Sequence, residues 1–141
     1  MLNELEQVLP ADIEKRSFEI ITEELGDKIL IPGTEPIVKR CIHTSADFDY
    51  ADNLAFSDGV VERALDAIRN GASIVTDTQM AKAGINKKRL AQYGGEVHCF
   101  MSDEDVAQAA KENGTTRAAA CMDKAAAMSR ENQQEHGLIF A

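Results

Sequence analysis

Apolar residues recur along this chain with two different spacings, and the alternation between them predicts its architecture. Leu2, Leu5, Val8 and Leu9 stand at helical spacing in a short run that Pro10 ends. Asp12 is placed to cap a helix, IEKRSFEIITEEL, in which Phe18, Ile21 and Leu25 form one apolar face and Gly26 closes the end. KILIPG, residues 28–33, reads as a brief strand broken by the turn pair Pro32-Gly33. Pro36 suits a first helical position, and Ile37, Val38, Cys41, Ile42 and Ala46 keep the helical period, which predicts a helix over 36–46. DFDYADNLAF, residues 47–56, carries no assignable period.

The pattern sharpens in the second half. Ser57-Asp58 opens a helix with the stripe Val60, Val61, Ala64, Leu65 and Ile68, ended by Asn70-Gly71. ASIVTD is a β-branched strand with Asp77 at its end. A short turn or helix with Met80, Ala81 and Gly84 follows, then the basic cluster Lys87-Lys88-Arg89 and a strand at VHCF, 97–100. Ser102 is placed to cap a helix running to Asn113-Gly114, with Asp105 as a weak capping-box partner. Thr115 or Thr116 caps an alanine-rich helix over 117–131, and GLIFA begins another strand. Strands alternating with helices specify an α/β fold: three αβα layers around a mainly parallel sheet, with residues 1–141 as one domain. A parallel strand as apolar as LIFA is expected at the centre of a sheet, followed by a crossover. A chain ending at Ala141 therefore reads as a shortened form of a larger domain.

Composition narrows the function classes. The chain has 24 Asp and Glu against 15 Lys and Arg, a net charge of -9, which argues against a general nucleic-acid binder but not against an anionic small molecule held by a few arginines. No apolar run is long enough to span a membrane and the first residues lack a signal-peptide pattern, so the expected location is the cytoplasm. Cys41, Cys99 and Cys121 are far apart in apolar or small-residue surroundings and read as buried thiols, not as a redox or zinc motif.

Three places could carry chemistry. His43 is followed by Thr44, Ser45, Asp47 and Asp49 and preceded by Arg40. On a continuous helix Asp47 would reach the imidazole and orient it for proton transfer. By spacing alone the same residues better describe a solvated helix-surface histidine with an acidic neighbour, and one histidine with one carboxylate is too few ligands for a metal. His98, between apolar residues, reads as a strand residue and His136 as a solvated one. GTTR at 114–117 joins two hydroxyls, free backbone N–H groups and an arginine at a helix start, which is either an anion site or an ordinary cap. Asp77 gains weight from its place at a strand's carboxyl end, where α/β sheets bind ligands. On this reading Asp77, the start of the 117–131 helix and the His43 helix meet in one cleft. Glycine-rich phosphate loops are missing from the sequence, which disfavours nucleotide chemistry.

RSFEII at 16–21, VKRCIH at 38–43, ADFD at 46–49, LAFS at 54–57, GASIVTDTQMAKAGI at 71–85 and GTTRAAA at 114–120 together resemble the precorrin-8X methylmutases, also called cobalt-precorrin-8 methylmutases, of corrin-ring biosynthesis. The resemblance extends over almost the whole chain in family order. It implies an isomerase that moves a methyl group from C-11 to C-12 of the macrocycle, without a cofactor or metal, in a homodimer with the tetrapyrrole bound near the subunit interface. It places the catalytic, proton-donating histidine on His43, and substrate contacts on Arg16, Ser17, Asp77, Met80, Thr116 and Arg117, with Arg40 and Thr44 beside the histidine. A flat ring edged with carboxylates needs positive charge around its rim, which Arg16, Arg40 and Arg117 would supply. Two departures stand out. Thr44-Ser45-Ala46 replaces the alanine-cysteine-glycine common in the family. About the last third of the family domain, including a glycine-asparagine-alanine-proline-threonine loop, has no counterpart, so a binding protein without turnover is the alternative reading.

Overall fold

A computed structural model describes residues 8–131 and 137–141. The helical run expected from Leu2 therefore lies mostly outside the described residues, as does His136. The chain divides into two compact units, residues 1–61 and 62–141.

The first unit is built on two helices, α1 (Ile13–Leu25) and α2 (Glu35–Ser45). Ile21 of α1 and Val38 and Ile42 of α2 are buried together, with Leu25, Leu30, Phe48, Ala51, Leu54 and Phe56 packed around them. Burial of such side chains stabilises by about 1.5–3 kcal/mol each, which is why the apolar stripes expected on these helices decide their pairing. Gly26 ends α1 at φ +55°, a conformation glycine adopts without steric cost. α2 begins one residue before Pro36 and ends at Ala46, which stands at φ +57° and returns its N–H to the carbonyl of Ile42. The strand expected at 28–33 is not formed. Those residues run as coil and turn, with Ile29 94% and Ile31 54% exposed. Thr34 closes the turn instead, its hydroxyl donating to the carbonyl of Ile31 at 2.7 Å. The unassigned 47–56 stretch holds a single helical turn, α3 (Tyr50–Asn53).

The second unit carries an all-parallel sheet of three strands, β1 (Ser73–Val75), β2 (Val97–His98) and β3 (Leu138–Phe140), in the order β2-β1-β3. Val75 is paired with His98 on one side and Phe140 on the other. Central position explains the full burial of Val75 and of Ala72 and Thr76, which flank β1. The strand anticipated from LIFA is present and lies at the edge of these three. Parallel strands need crossovers. The first is made by α5 (Gln79–Gly84) and α6 (Lys87–Ala91), the second by α7 (Glu104–Glu112) and α8 (Arg117–Glu131). Before β1, α4 (Val60–Arg69) forms as its stripe predicts.

Helices α7 and α8 share a core of Val106, Ala110, Ala120 and Cys121, backed by Phe100, Ala109 and Met122. Alanine favours helix most among the residues, and its small size lets α8 approach closely. Of the two candidate caps, Thr116 is the one used: its Oγ1 accepts the N–H of Ala119 at 3.1 Å. α7 starts one residue later than Ser102 would have it, with Asp103 at the capping position in extended conformation. Asp103 and Asp105 are both bound by Lys124 of α8, at 2.7 Å each. Just before β2, Gly95 lies so close to β1 that a Cβ there would stand far inside contact with the carbonyl oxygen of Ala72 and 3.1 Å from the Leu90 side chain.

Candidate functional site

His43 occupies the last turn of α2 and is exposed. The neighbour expected to orient it does something else. Ala46 turns the chain out of the helix before Asp47, so the four-residue helical spacing between His43 and Asp47 no longer applies. The Asp47 carboxylate instead accepts the N–H of Asp49 at 2.9 Å, and the Asp47 N–H donates to Ser45 Oγ at 3.2 Å. What His43 meets is an aromatic ring. The Phe18 centroid lies 6.0 Å from the imidazole with the planes at 66°, an edge-to-face pair.

Arg40, one turn before His43, covers the same ring, with its guanidinium carbon 5.3 Å from the centroid. Both terminal nitrogens of Arg40 donate to Glu14 of α1, Nη1 to Oε2 at 2.8 Å and Nη2 to Oε1 at 2.7 Å. The hydrogen bond from Arg40 holds the Glu14 carboxyl below its usual range, and the same contact raises Arg40. Arg40 thus has a two-point carboxylate partner within its own chain, where the sequence suggested a ring carboxylate. Thr44 donates its hydroxyl to the Arg40 carbonyl at 2.8 Å, and Ser45 donates to that of Cys41 at 2.8 Å. Arg16 and Ser17 are half-buried on α1, and Arg16 Nη1 stands 3.6 Å from Glu19 Oε2. Sequence reasoning placed Phe18 only on an apolar face. Its spacing from Arg16 and Ser17 was visible, but its contact with α2 depends on how the two helices rotate against each other.

The remaining expected residues belong to the second unit. Because all three strands run the same way, their carboxyl ends share one edge of the sheet. Asp77 follows β1 there, half-buried, its N–H donating to the carbonyl of Ala141 at 3.3 Å. Thr76 shapes this exit: it is fully buried, and its hydroxyl donates to the carbonyl of Thr78 at 3.0 Å. Met80 is 84% exposed at the start of α5. Gln79 Nε2 donates to Ser102 Oγ at 3.3 Å, joining the loops after β1 and β2. The Cys121 thiol donates to the Thr76 carbonyl at 3.9 Å, which sets the first turns of α8 beside the end of β1. Thr116 and Arg117 open that helix and are exposed. Asp77 and Met80 thus follow β1, and Thr116 and Arg117 open the helix whose Cys121 reaches the end of that strand.

Elsewhere in this unit a cavity of about 450 Å³ has an apolar floor of Leu65, Ile68, Ile74 and Leu90, with Arg69 and Arg89 among its lining residues. None of the expected site residues lines it. His98 lies in β2, stacked on Phe100 at 6.0 Å, which suits a structural residue. Cys99 and Cys121 are buried and Cys41 half-buried, and burial pushes the Cys121 thiol up.

Comparison with known proteins gives a consistent result. The family model for precorrin-8X methylmutase matches residues 12–140. A cobalt-precorrin-8 methylmutase of Priestia megaterium is 44% identical over 118 residues, 84% of this chain and 52% of the relative. That of Salmonella typhimurium is 43% identical over 129 residues, 88% of this chain and 61% of the relative. A solved structure of precorrin-8X methylmutase from Thermus thermophilus superposes with a TM-score of 0.72 at 36% identity, covering 92% of this chain and 60% of that one. The chain therefore spans between half and two thirds of the length of these relatives.

Proposed function

The chain belongs to the precorrin-8X methylmutase family, and from that membership we propose that it acts in the isomerisation of precorrin-8X or cobalt-precorrin-8 in cobalamin biosynthesis. In this reading a methyl group moves from C-11 to C-12 of the ring while His43 gives a proton to the macrocycle. The observation that carries it is the exposed imidazole of His43 at the end of α2, held against Phe18, in a chain matched by the family model over 12–140. Histidine changes charge closest to neutral pH, so it can give a proton and recover one. Substrate and product of an isomerisation have the same atoms. The proton given is therefore matched by one that the ring releases, and an exposed imidazole is recharged from water.

Arg16 and Ser17 of α1, Thr44 next to His43 in the chain, and Asp77, Met80, Thr116 and Arg117 of the second unit are the proposed substrate contacts. The start of α8 supports this with a helix N-terminus and an exposed guanidinium, the chemistry that suits ring carboxylates. Arg40 contributes through its pair with Glu14, for which a substrate carboxylate would have to compete. The working form is proposed to be a cytoplasmic homodimer using no cofactor.

The chain spans 52–61% of the two curated relatives. A second reading is that it binds the tetrapyrrole without converting it. Incubation with precorrin-8X, followed by absorption spectroscopy and chromatography of the pigment, separates the two. Turnover that disappears in His43→Ala while pigment binding persists supports the first reading, and turnover unchanged in His43→Ala refutes it. Binding with no product favours the second.

A further inference from the structure

We propose that Phe18 is a positioning residue for His43, and that Arg40 and Glu14 form the clamp that holds it. The proposal rests on the reading of His43 as the proton donor and adds how an exposed side chain keeps its aim.

An imidazole at the end of a helix rotates about two bonds, and a donor must be held within about half an ångström of its productive place. Proton donors are commonly held by a carboxylate. Here the candidate carboxylate, Asp47, is occupied with the Asp49 N–H. Glu14 is within electrostatic range of His43 but is hydrogen-bonded to Arg40, and the direct contact of the imidazole is the Phe18 ring, edge-to-face at 6.0 Å and 66°. Aromatic pairs favour this geometry because the positive rim of one ring meets the negative face of the other.

Phe18 also occupies an unusual place for a large apolar side chain. It is half-buried and stands apart from the buried cluster of Ile21, Val38 and Ile42, although Ile21 is its neighbour on the same helix face. Its ring contacts instead the polar side of α2, where Arg40 and His43 stand one turn apart. Arg40 lies 5.3 Å from the centroid, within the range of a cation–π contact. A guanidinium free to move would not fix a ring. This one is fastened to Glu14 by two parallel hydrogen bonds at 2.7 and 2.8 Å, the arrangement that gives arginine its directional hold. Glu14, Arg40, Phe18 and His43 thus form a chain of four residues joined by three contacts, alternating between α1 and α2 and ending on the imidazole.

Three variants test it: Phe18→Leu, which keeps apolar bulk but loses the ring; Phe18→Tyr, which keeps the ring; and Glu14→Gln, which loosens the clamp with the ring in place. The first readout is the nuclear magnetic resonance of the His43 imidazole protons, assigned by their loss in His43→Ala. Proximity to Phe18 gives these protons a ring-current shift that Phe18→Tyr retains, Phe18→Leu removes and Glu14→Gln reduces. His43 resonances at the same positions in wild type, Phe18→Leu and Glu14→Gln overturn the proposal. If Phe18→Leu does not fold, the Glu14→Gln spectrum decides. The second readout is conversion of precorrin-8X. A misplacement of about 1 Å costs up to about a hundredfold in rate, so Phe18→Leu is expected to lower kcat by roughly tenfold to a hundredfold with KM nearly unchanged, and Phe18→Tyr to restore it. A fully active Phe18→Leu beside an inactive His43→Ala overturns the positioning role and leaves the proton-donor reading standing. An active His43→Ala overturns that reading instead.

Discussion

Replacing Ile42 with alanine tests whether the α1–α2 pair is held by a sealed apolar core. Ile42 is 1% exposed and immediately precedes His43, so the packing of this side chain fixes the helix that presents the imidazole. The change removes three carbons, each contributing about 0.8 kcal/mol when buried. That amounts to roughly 2.4 kcal/mol, and the space left behind raises the loss to about 3 kcal/mol, within the 2–5 kcal/mol typical of such truncations. Because about 1.4 kcal/mol corresponds to a factor of ten, the slowest-exchanging amides of α1 and α2 should lose roughly a hundredfold in protection. Hydrogen–deuterium exchange with mass spectrometry measures this for each helix separately. Ile42→Val should lose only about 0.5–1.5 kcal/mol. Ile37, on the same helix but 40% exposed, supplies the control: Ile37→Ala should change protection by no more than about 0.5 kcal/mol. If Ile42→Ala and Ile37→Ala have equal effects, or the former changes exchange by less than about fivefold, the assignment of Ile42 to a sealed core is refuted.

Other measurements address the second unit and the polar contacts. Thr76→Val removes the buried hydroxyl that donates to Thr78, whose carbonyl keeps the Lys82 N–H, and should cost about 0.5–1.5 kcal/mol in thermal denaturation, with Thr76→Ser largely retaining the bond. Alkylation by iodoacetamide at neutral pH, mapped by mass spectrometry, should label Cys41 well before Cys99 and Cys121; rapid labelling of Cys121 in the native protein would contradict its burial. Asp105 is held below the usual carboxylate range by its hydrogen bond from Lys124, and Glu14 by that from Arg40. A carboxyl lowered in the folded state contributes stability that is fully present above its unfolded value and is lost as pH falls through the folded one. The difference in Tm between wild type and Lys124→Met should therefore persist at neutral pH and shrink on acidification below the ordinary carboxylate range. The Asp105 carboxylate is exposed, so added salt should shrink it too. A difference that grows on acidification would contradict the sign.

The sequence made the regular elements legible wherever a local pattern determines them. The stripe of Val60, Ala64, Leu65 and Ile68 gave α4, the Pro36 start and the Val38–Ile42 spacing gave α2, and the β-branched run of Ile74, Val75 and Thr76 gave the central strand. The α/β class follows from their order. Features that depend on partners distant in sequence were harder to read. Residues 28–31 are as apolar as a strand, but a strand exists only beside another, and Ile29 instead faces solvent. The candidate site followed the same division. His43, Asp77 and Thr116 could be singled out by position, and Thr116 caps its helix as expected. The role given to Asp47 failed because one residue, Ala46, adopts a left-handed conformation that composition does not announce. Phe18 could not be connected to His43 without knowing how α1 and α2 face each other.

Gly95 and Gly84 set opposite limits on how this sequence can drift. At Gly95 the first methyl group would collide with the Ala72 carbonyl, part of the backbone entering the central strand, and no rotamer can relieve a clash at Cβ. At Gly84 nothing lies within 4 Å of the same atom. In a library randomised at both codons and selected for folded protein, deep sequencing should recover almost only glycine at 95 and a broad range of residues at 84. The two positions look alike in the sequence, yet one is closed to genetic variation and the other open.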